Sequence, residues 1–227
     1  MIVQLYTMQS VEEALACVAV GADHLGLTPP EGLPGELPSF SAMREIVEAV
    51  GDRARCIGLT VRMDVDHIRA LVEAVQPAIL HLCPLAGDTS PERVAALRRR
   101  LPADLPVMQA VSVTGPGSVA EARAYAKVAD YLILDTQAPH IPGVGASGMT
   151  HDWSVSRAIV EAVDVPVILA GGLSPENVAA AIEAVGPWGV DSLTHTNRLL
   201  PDGTFRKDLD RVGAFVAAAR AATPDNG

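Results

Sequence analysis

The chain has 227 residues, of which 49% are hydrophobic and 4% aromatic, and its formal net charge at pH 7 is -10. This composition predicts a large aliphatic core, and the acidic charge argues against nucleic acids and anionic membrane surfaces as partners. The cysteines Cys17, Cys56 and Cys83 lack Cys-x-x-Cys spacing, which favours reduced thiols and a cytoplasmic location. Neither a signal peptide nor a membrane span of roughly 18 apolar residues is predicted.

Short apolar strands alternate with amphipathic helical patterns along the chain. The predicted strands cover residues 2–6, 22–28, 55–61, 78–83, 106–113, 129–135, 166–171 and 189–194. Eight strand–helix units in about this length predict an α/β fold, the (β/α)₈ TIM barrel, whose usual size is ~250 residues. A doubly wound open sheet is the alternative, but the turn at residues 6–10 has no glycine fingerprint for a dinucleotide.

Helix starts are predicted from polar residues that can cap the first turn. Ser10 and Ser118 are each followed three residues later by glutamate, which is the spacing of a capping box. Ser90 and Ser174 each precede a Pro-Glu pair that suits a first helical turn. Asp152 is predicted to cap the sixth helix.

We expect residues 1–222 to form one TIM-barrel domain and residues 223–227 to form a polar C-terminal tail, because no linker interrupts the pattern. The last helix is predicted over about residues 207–221. The longest irregular pieces, residues 29–39 and 137–150, follow the second and sixth strands. In a barrel, both would lie on the catalytic face.

The seventh strand ends in a double glycine and passes directly into a helical pattern. Gly171 and Gly172 allow backbone N–H groups to approach a ligand closely. A glycine turn between a strand and a helix is a common anion site. We therefore predict that a phosphorylated small molecule binds at this turn.

Five segments follow one another in the order in which a known protein family has similar segments. They are Leu132-Ile-Leu-Asp-Thr136, Gly145-Ala-Ser-Gly-Met-Thr-His-Asp-Trp153, residues 166–178, Trp188-Gly-Val-Asp191 and Lys207-Asp-Leu-Asp-Arg-Val212. On these segments the chain resembles the phosphoribosylanthranilate isomerase family of tryptophan biosynthesis. The resemblance implies a TIM barrel and an Amadori rearrangement, which is an aldose–ketose isomerisation of an aminosugar phosphate, without a cofactor. The family's catalytic acid is the aspartate that ends strand 6, here Asp135.

Three positions depart from the family pattern. Tyr6 stands where the family has a cysteine base, and a free tyrosine has a pKa of ~10 against ~8.5 for cysteine. Gln4 replaces a lysine. Glu36 falls at or near the arginine that holds the anthranilate carboxylate, and a carboxylate does not hold another carboxylate. We therefore expect Tyr6 to form hydrogen bonds in the site or to shape it. We also expect the substrate to lack anthranilate.

The turn after strand 8 also differs from the family's short serine-glycine turn. This chain has Leu193-Thr-His-Thr-Asn-Arg198 instead. Thr194, His195, Thr196 and Arg198 are predicted to add side-chain donors to the phosphate site.

His81 and Cys83 alternate in the fourth strand and so share one face. Cys83 is a candidate thiol base, and His81 is a candidate proton carrier or polar anchor; the alternative is a buried core pair. We expect one of Tyr6, His81, Cys83 and Glu36 to replace the missing base. Gln109 and Arg62 are expected to contact sugar hydroxyls.

Two other functions are compatible with the pattern. One is a metal-dependent lyase, epimerase or aldolase that uses His81, Cys83, His195 and carboxylates, although their spacing is a weak metal signal. The other is a non-catalytic phosphate binder. His24 and His151 are interpreted as structural, and His140 as exposed or part of a lid. A monomer and a homodimer are both consistent with the sequence.

Overall fold

Eight parallel strands close into a barrel in a computed structural model that describes residues 1–84, 88–136 and 150–222. The strands are β1 (Ile2–Leu5), β2 (His24–Leu27), β3 (Arg55–Thr60), β4 (Ile79–Leu82), β5 (Val107–Ser112), β6 (Tyr131–Asp135), β7 (Val167–Leu169) and β8 (Gly189–Ser192). Each strand pairs with the next, and β8 pairs with β1. The TIM-barrel prediction is confirmed, and every predicted strand overlaps an observed one.

Helices follow the strands and cover the outside of the barrel. They are α1 (Val11–Ala19), α2 (Phe40–Val50), α3 (Val65–Val75), α4 (Pro91–Arg98), α5 (Gly117–Tyr125), α6 (Trp153–Ala162), α7 (Val178–Val185) and α8 (Leu209–Ala221). Side chains of Ser10, Ser90 and Asp152 accept backbone N–H bonds at the starts of α1, α4 and α6, as predicted.

Two predicted caps are wrong. Ser118 lies inside α5, where its hydroxyl accepts the Thr114 N–H and donates to the Ser112 carbonyl. This hydroxyl therefore ties the β5–α5 loop together. Ser174 opens a turn in which its hydroxyl accepts the Glu176 N–H, and α7 begins only at Val178.

Strand side chains alternate between two apolar regions, as the two-residue period requires. Outward-facing side chains pack under the helices. Inward-facing ones fill the barrel with a smaller cluster of Tyr6, Ile57, Ile79, Cys83, Met108, Ala110, Ile133, Ile168 and Ala170. The inner face therefore decides which side chains reach the mouth of the barrel.

A hairpin that the sequence did not reveal follows β8. It consists of β9 (Asn197–Leu199) and β10 (Phe205–Lys207), and it delays the start of α8 to Leu209. Lys207 is buried, and its ammonium donates to the Tyr6 carbonyl and to Asn197 Oδ1. The hairpin is thereby fastened to the end of β1.

No helix in the described ranges is long and apolar enough to cross a membrane. The predicted tail at residues 223–227 lies outside the described residues, as do residues 137–149 with His140.

Candidate active site

A narrow cleft with a cavity volume of about 20 Å³ opens at the carboxyl ends of β6, β7 and β8. Its lining residues are Asp135, Gly171, Gly172, Leu173, Asp191, Ser192, Leu193, Thr194 and His195. Strand ends on this face are where TIM-barrel enzymes carry their active sites. The cleft therefore contains the predicted carboxyl group and the predicted glycine turn together.

Asp135 is the last residue of β6, in phase with the inward-facing Ile133. Its Oδ1 accepts the Thr136 N–H at 2.6 Å. Burial raises the pKa of Asp135 to about 7, and the bond from Thr136 only partly offsets that effect. A carboxyl that titrates near neutrality suits general acid–base catalysis.

The double glycine after β7 has a left-handed backbone, with φ of 82° at Gly171 and 65° at Gly172. A Cβ at Gly171 would lie 2.6 Å from Thr136 Oγ1 and 2.9 Å from His151 Nδ1. Both the dihedral angle and the crowding exclude a side chain there. The Asn177 amide donates to the Gly172 carbonyl at 3.0 Å and so anchors the turn.

The turn after β8 brings only part of its predicted set to the cleft. Thr194 and His195 line it. Thr196 is fully buried; its hydroxyl donates to the Leu193 carbonyl at 3.1 Å and lies 3.3 Å from Lys207 Nζ. Arg198 is exposed on β9, outside the cleft lining. The cleft lining therefore does not support the prediction that Thr196 and Arg198 hold phosphate, because Thr196 is buried in the turn before β9 and Arg198 lies on β9.

Asp191 is a cleft residue that the sequence reasoning missed as a functional group. It is 6% exposed and lies on β8 opposite Gln4 of β1. Burial, followed by repulsion from Asp135, raises the pKa of Asp191 to about 8. The available signal was a carboxylate at an inward position of an otherwise apolar strand.

Tyr6 and His81 form a buried hydrogen-bonded pair across the barrel mouth. The Tyr6 hydroxyl lies 2.8 Å from His81 Nδ1, and the two rings meet edge to face. Gly26 provides the space, because a Cβ there would lie 2.1 Å from the Tyr6 ring. The sequence predicted both residues in the site but did not indicate this contact.

The pair is electrically neutral at pH 7. Burial, with added repulsion from Asp191 and Cys83, raises the pKa of Tyr6 well above its usual value. Burial lowers the pKa of His81 to about 3. The prediction that either residue supplies the base is therefore not supported, since tyrosinate is inaccessible and this imidazole is a weak base.

Cys83 remains at the mouth of the barrel as a buried thiol within the inner cluster, close enough to Tyr6 to influence its ionisation. It shares the inner face with His81, and the shared face agrees with the prediction from strand alternation. Among the base candidates from the sequence, Cys83 is the one whose position and chemistry still fit.

Three other residues that were predicted to contact the substrate lie outside the cleft lining. Glu36 is exposed, and its carboxylate accepts the N–H groups of Gly32 and Leu33 in its own loop. Arg62 is exposed after β3. Gln109 is fully buried in phase with outward-facing residues of β5, so the expected contact with sugar hydroxyls is wrong.

The geometry also bears on His151 and on the metal alternative. His151 bonds to Thr136 Oγ1 at 3.1 Å and to Ser156 Oγ at 2.7 Å, which is a structural arrangement. Within the described ranges, His81, Cys83, His195 and the carboxylates do not converge into a cluster of three or more metal-binding side chains.

Comparisons with known proteins agree with this geometry. A family profile described as N-(5'phosphoribosyl)anthranilate (PRA) isomerase matches residues 4–193. N-(5'-phosphoribosyl)anthranilate isomerase of Haloferax volcanii is 40% identical over 214 residues, covering 93% of this chain and 90% of the relative. The enzyme of the same name from Rhodopseudomonas palustris strain BisB5 is 34% identical over 221 residues, covering 97% and 96%.

The solved structures give the same result. The crystal structure of phosphoribosyl anthranilate isomerase from Thermotoga maritima is 26% identical, with a TM-score of 0.81, covering 97% of this chain and 100% of that one. Sequence relatives, profile and three-dimensional likeness all extend over nearly the full barrel. The chain therefore belongs to the N-(5'-phosphoribosyl)anthranilate isomerase family of isomerases.

Proposed function

We propose that this isomerase carries out an Amadori-type rearrangement of a phosphorylated aminosugar, with Asp135 as the acid. The observation that carries the proposal is the position of Asp135, which shares one cleft with the Gly171–Gly172 turn. A phosphate at the glycine turn places the attached sugar beside the carboxyl group. Asp135 then donates its proton to the furanose ring oxygen as the ring opens.

Removal of the C2 proton needs a second group, and we assign it to Cys83. The thiol faces the barrel mouth next to the Tyr6–His81 pair, which is neutral and serves as a polar wall of the sugar pocket. After the thiol has lost its proton to solvent, the thiolate takes the C2 proton and the C2–H electrons move to the imine nitrogen. The enolaminol so formed becomes the aminoketose when C1 gains a proton and the C2 hydroxyl loses its own.

We further propose that the substituent on the sugar amine is not anthranilate. Glu36 stands at or near the position of a carboxylate-binding arginine and is bonded within its own loop, so this position offers no positive charge to a carboxylate. The second candidate substrate is phosphoribosylanthranilate itself, which the printed names of the relatives favour. Both substrates require the same Asp135 chemistry.

A cytoplasmic location is part of the proposal and is supported by three buried cysteines that remain thiols. The described lining of the cleft comes from one chain, so either a monomer or a homodimer carries this lining.

The decisive experiment measures isomerisation of phosphoribosylanthranilate beside ribosylamine 5-phosphates that carry uncharged or cationic substituents. We expect Asp135→Asn to lose about 10²- to 10⁴-fold in kcat/KM on the best substrate. Asp164→Asn, at an exposed position before β7, is the matched control and should retain full activity. Unchanged turnover in Asp135→Asn contradicts the mechanism, and preference for phosphoribosylanthranilate contradicts the substrate assignment.

A further inference from the structure

Asp135 and Gly171 lie just beyond the point where the backbone ladder between β6 and β7 ends. The last residue pair of that ladder is Leu134 with Leu169. The Ala170 N–H then donates to the Leu134 carbonyl at 2.8 Å. The carboxyl group and the glycine turn therefore lie on a part of the barrel rim where strand pairing no longer sets their spacing.

A hydrogen bond between Thr136 and His151 lies at this point of the rim. Thr136 Oγ1 is 3.1 Å from His151 Nδ1. The bond packs on the glycine turn, because a Cβ at Gly171 would lie 2.6 Å from Thr136 Oγ1 and 2.9 Å from His151 Nδ1. The same Cβ would lie 3.3 Å from Asp135 Oδ1. The carboxyl, the hydroxyl and the imidazole therefore surround one position of the turn.

Thr136 is joined directly to the carboxyl group of Asp135. Its backbone N–H donates to Asp135 Oδ1 at 2.6 Å, so the orientation of the carboxyl depends on where the Thr136 backbone lies. Threonine is β-branched, and a stiff χ1 angle links its hydroxyl to its backbone. A bond that fixes the Thr136 hydroxyl therefore also restrains the N–H that orients the carboxyl.

His151 is itself held by helix α6. Its Nε2 lies 2.7 Å from Ser156 Oγ, and Ser156 is fully buried in that helix. Burial lowers the pKa of His151 to about 4, so the ring is neutral at pH 7 and has one donor and one acceptor nitrogen. Because a hydroxyl both donates and accepts, either tautomer of His151 makes both bonds.

We propose that His151 is a positioning residue for the isomerisation: through Thr136 it holds the Asp135 carboxyl at a fixed place beside the glycine turn. In this role His151 does not touch the substrate, and it forms or breaks no bond to it. A general acid must lie within hydrogen-bond reach of the atom that it protonates, and a displacement of about 1 Å costs on the order of 10²-fold in rate. The inference rests on the proposed function, because it concerns a residue that supports Asp135 as the acid.

Two substitutions of His151 separate its two hydrogen bonds. The amide of His151→Asn places a polar atom near the position of Nδ1 and retains the bond to Thr136. The longer amide of His151→Gln reaches the position of Nε2 and retains the bond to Ser156. We expect His151→Gln to lose about tenfold in kcat on the best substrate with little change in KM, and His151→Asn to retain most of kcat. Equal kcat values in the two variants overturn the inference, because the bond to Thr136 then has no separate effect.

Hydrogen exchange of the Thr136 amide tests the inference on the resting protein, without a substrate. This N–H is bonded to Asp135, so its exchange rate reports how firmly the carboxyl and the backbone are held together. We expect His151→Gln to speed the exchange about tenfold and His151→Asn to leave it within about twofold of wild type. Unchanged exchange in His151→Gln overturns the inference. If the wild type turns over no substrate but the exchange responds as expected, the proposed function fails and the positioning role of His151 stands.

Substitutions of Thr136 test the same bond from its other end, including the case in which His151→Gln does not fold. Valine has the shape of threonine without the hydroxyl, whereas serine retains the hydroxyl. We expect Thr136→Val to lose about tenfold in kcat and Thr136→Ser to retain most of it. Thr136→Val combined with His151→Gln should lose no more than either single variant, because both remove one and the same bond. Additive losses in the double variant contradict the proposal.

Discussion

The two sides of the barrel mouth are built from different kinds of chemistry. From β6 to β8 the cleft consists of a glycine turn in a left-handed conformation and two carboxyl groups that titrate near neutrality. At β1 and β4 the wall is a buried, neutral tyrosine–histidine pair beside a thiol. A site made of backbone geometry tolerates changes in neighbouring side chains, whereas a wall made of side chains changes shape with each substitution.

The largest expected effect tests whether the β6–β8 side is pH-sensitive near neutrality. The unfolded chain has aspartate pKa values near ~3.9, whereas the folded value for Asp191 is about 8. Between these values the folded state binds more protons, so Asp191 makes wild-type stability fall as pH rises.

Asp191→Asn removes this dependence. The stability difference between variant and wild type should change in favour of the variant by about 1.4 kcal/mol per pH unit over that window. Urea unfolding between pH 4.5 and 8 measures it, and Asp164→Asn serves as the exposed control. Parallel stability curves for Asp191→Asn and wild type would show that Asp191 ionises normally.

The next effect tests the packing of the β1–β4 side. Gly26→Ala places a methyl group 2.1 Å from the Tyr6 ring, and such overpacking costs about 1–3 kcal/mol of unfolding free energy. In a Tyr6→Cys background the ring is absent, so the same change should cost little. A double-mutant cycle by chemical denaturation measures the coupling, and additive effects would contradict the described contact.

The smallest effect tests the proposed phosphate site at the Gly171–Gly172 turn. Gly171→Ala adds a methyl group against Thr136 and His151 at a left-handed dihedral angle. We expect KM for a phosphorylated substrate to rise about tenfold, which corresponds to ~1.4 kcal/mol, with a smaller change in kcat. Gly203→Ala, at a left-handed hairpin position with open space around it, controls for backbone strain alone. Equal effects of both substitutions on KM would remove the turn from the phosphate site.

Local sequence patterns were sufficient for the elements of the fold. Alternating apolar strands and helical patterns predicted the closed barrel, and the caps at Ser10, Ser90 and Asp152 depend only on nearby residues. Local patterns also predicted Asp135 and the Gly171–Gly172 turn, because the apolar residues of each preceding strand show where that strand ends.

Features that depend on contacts between distant parts of the chain could not be predicted from local sequence patterns. The β9–β10 hairpin buries Thr196 and takes Arg198 away from the cleft, and Gln109 faces the helices because of the phase of β5.

The sequence by itself determined the barrel, its acidic cleft residue and its glycine turn, since these follow from short-range periodicity and backbone freedom. Only the tertiary structure decided that Tyr6 bonds to His81, 75 positions away, and that Gln4 lies between His24 and Asp191. The physical reason is closure of the barrel. Strand register across β8, β1 and β2 sets which inward side chains meet, and the loss of water around them sets which ones keep their protons.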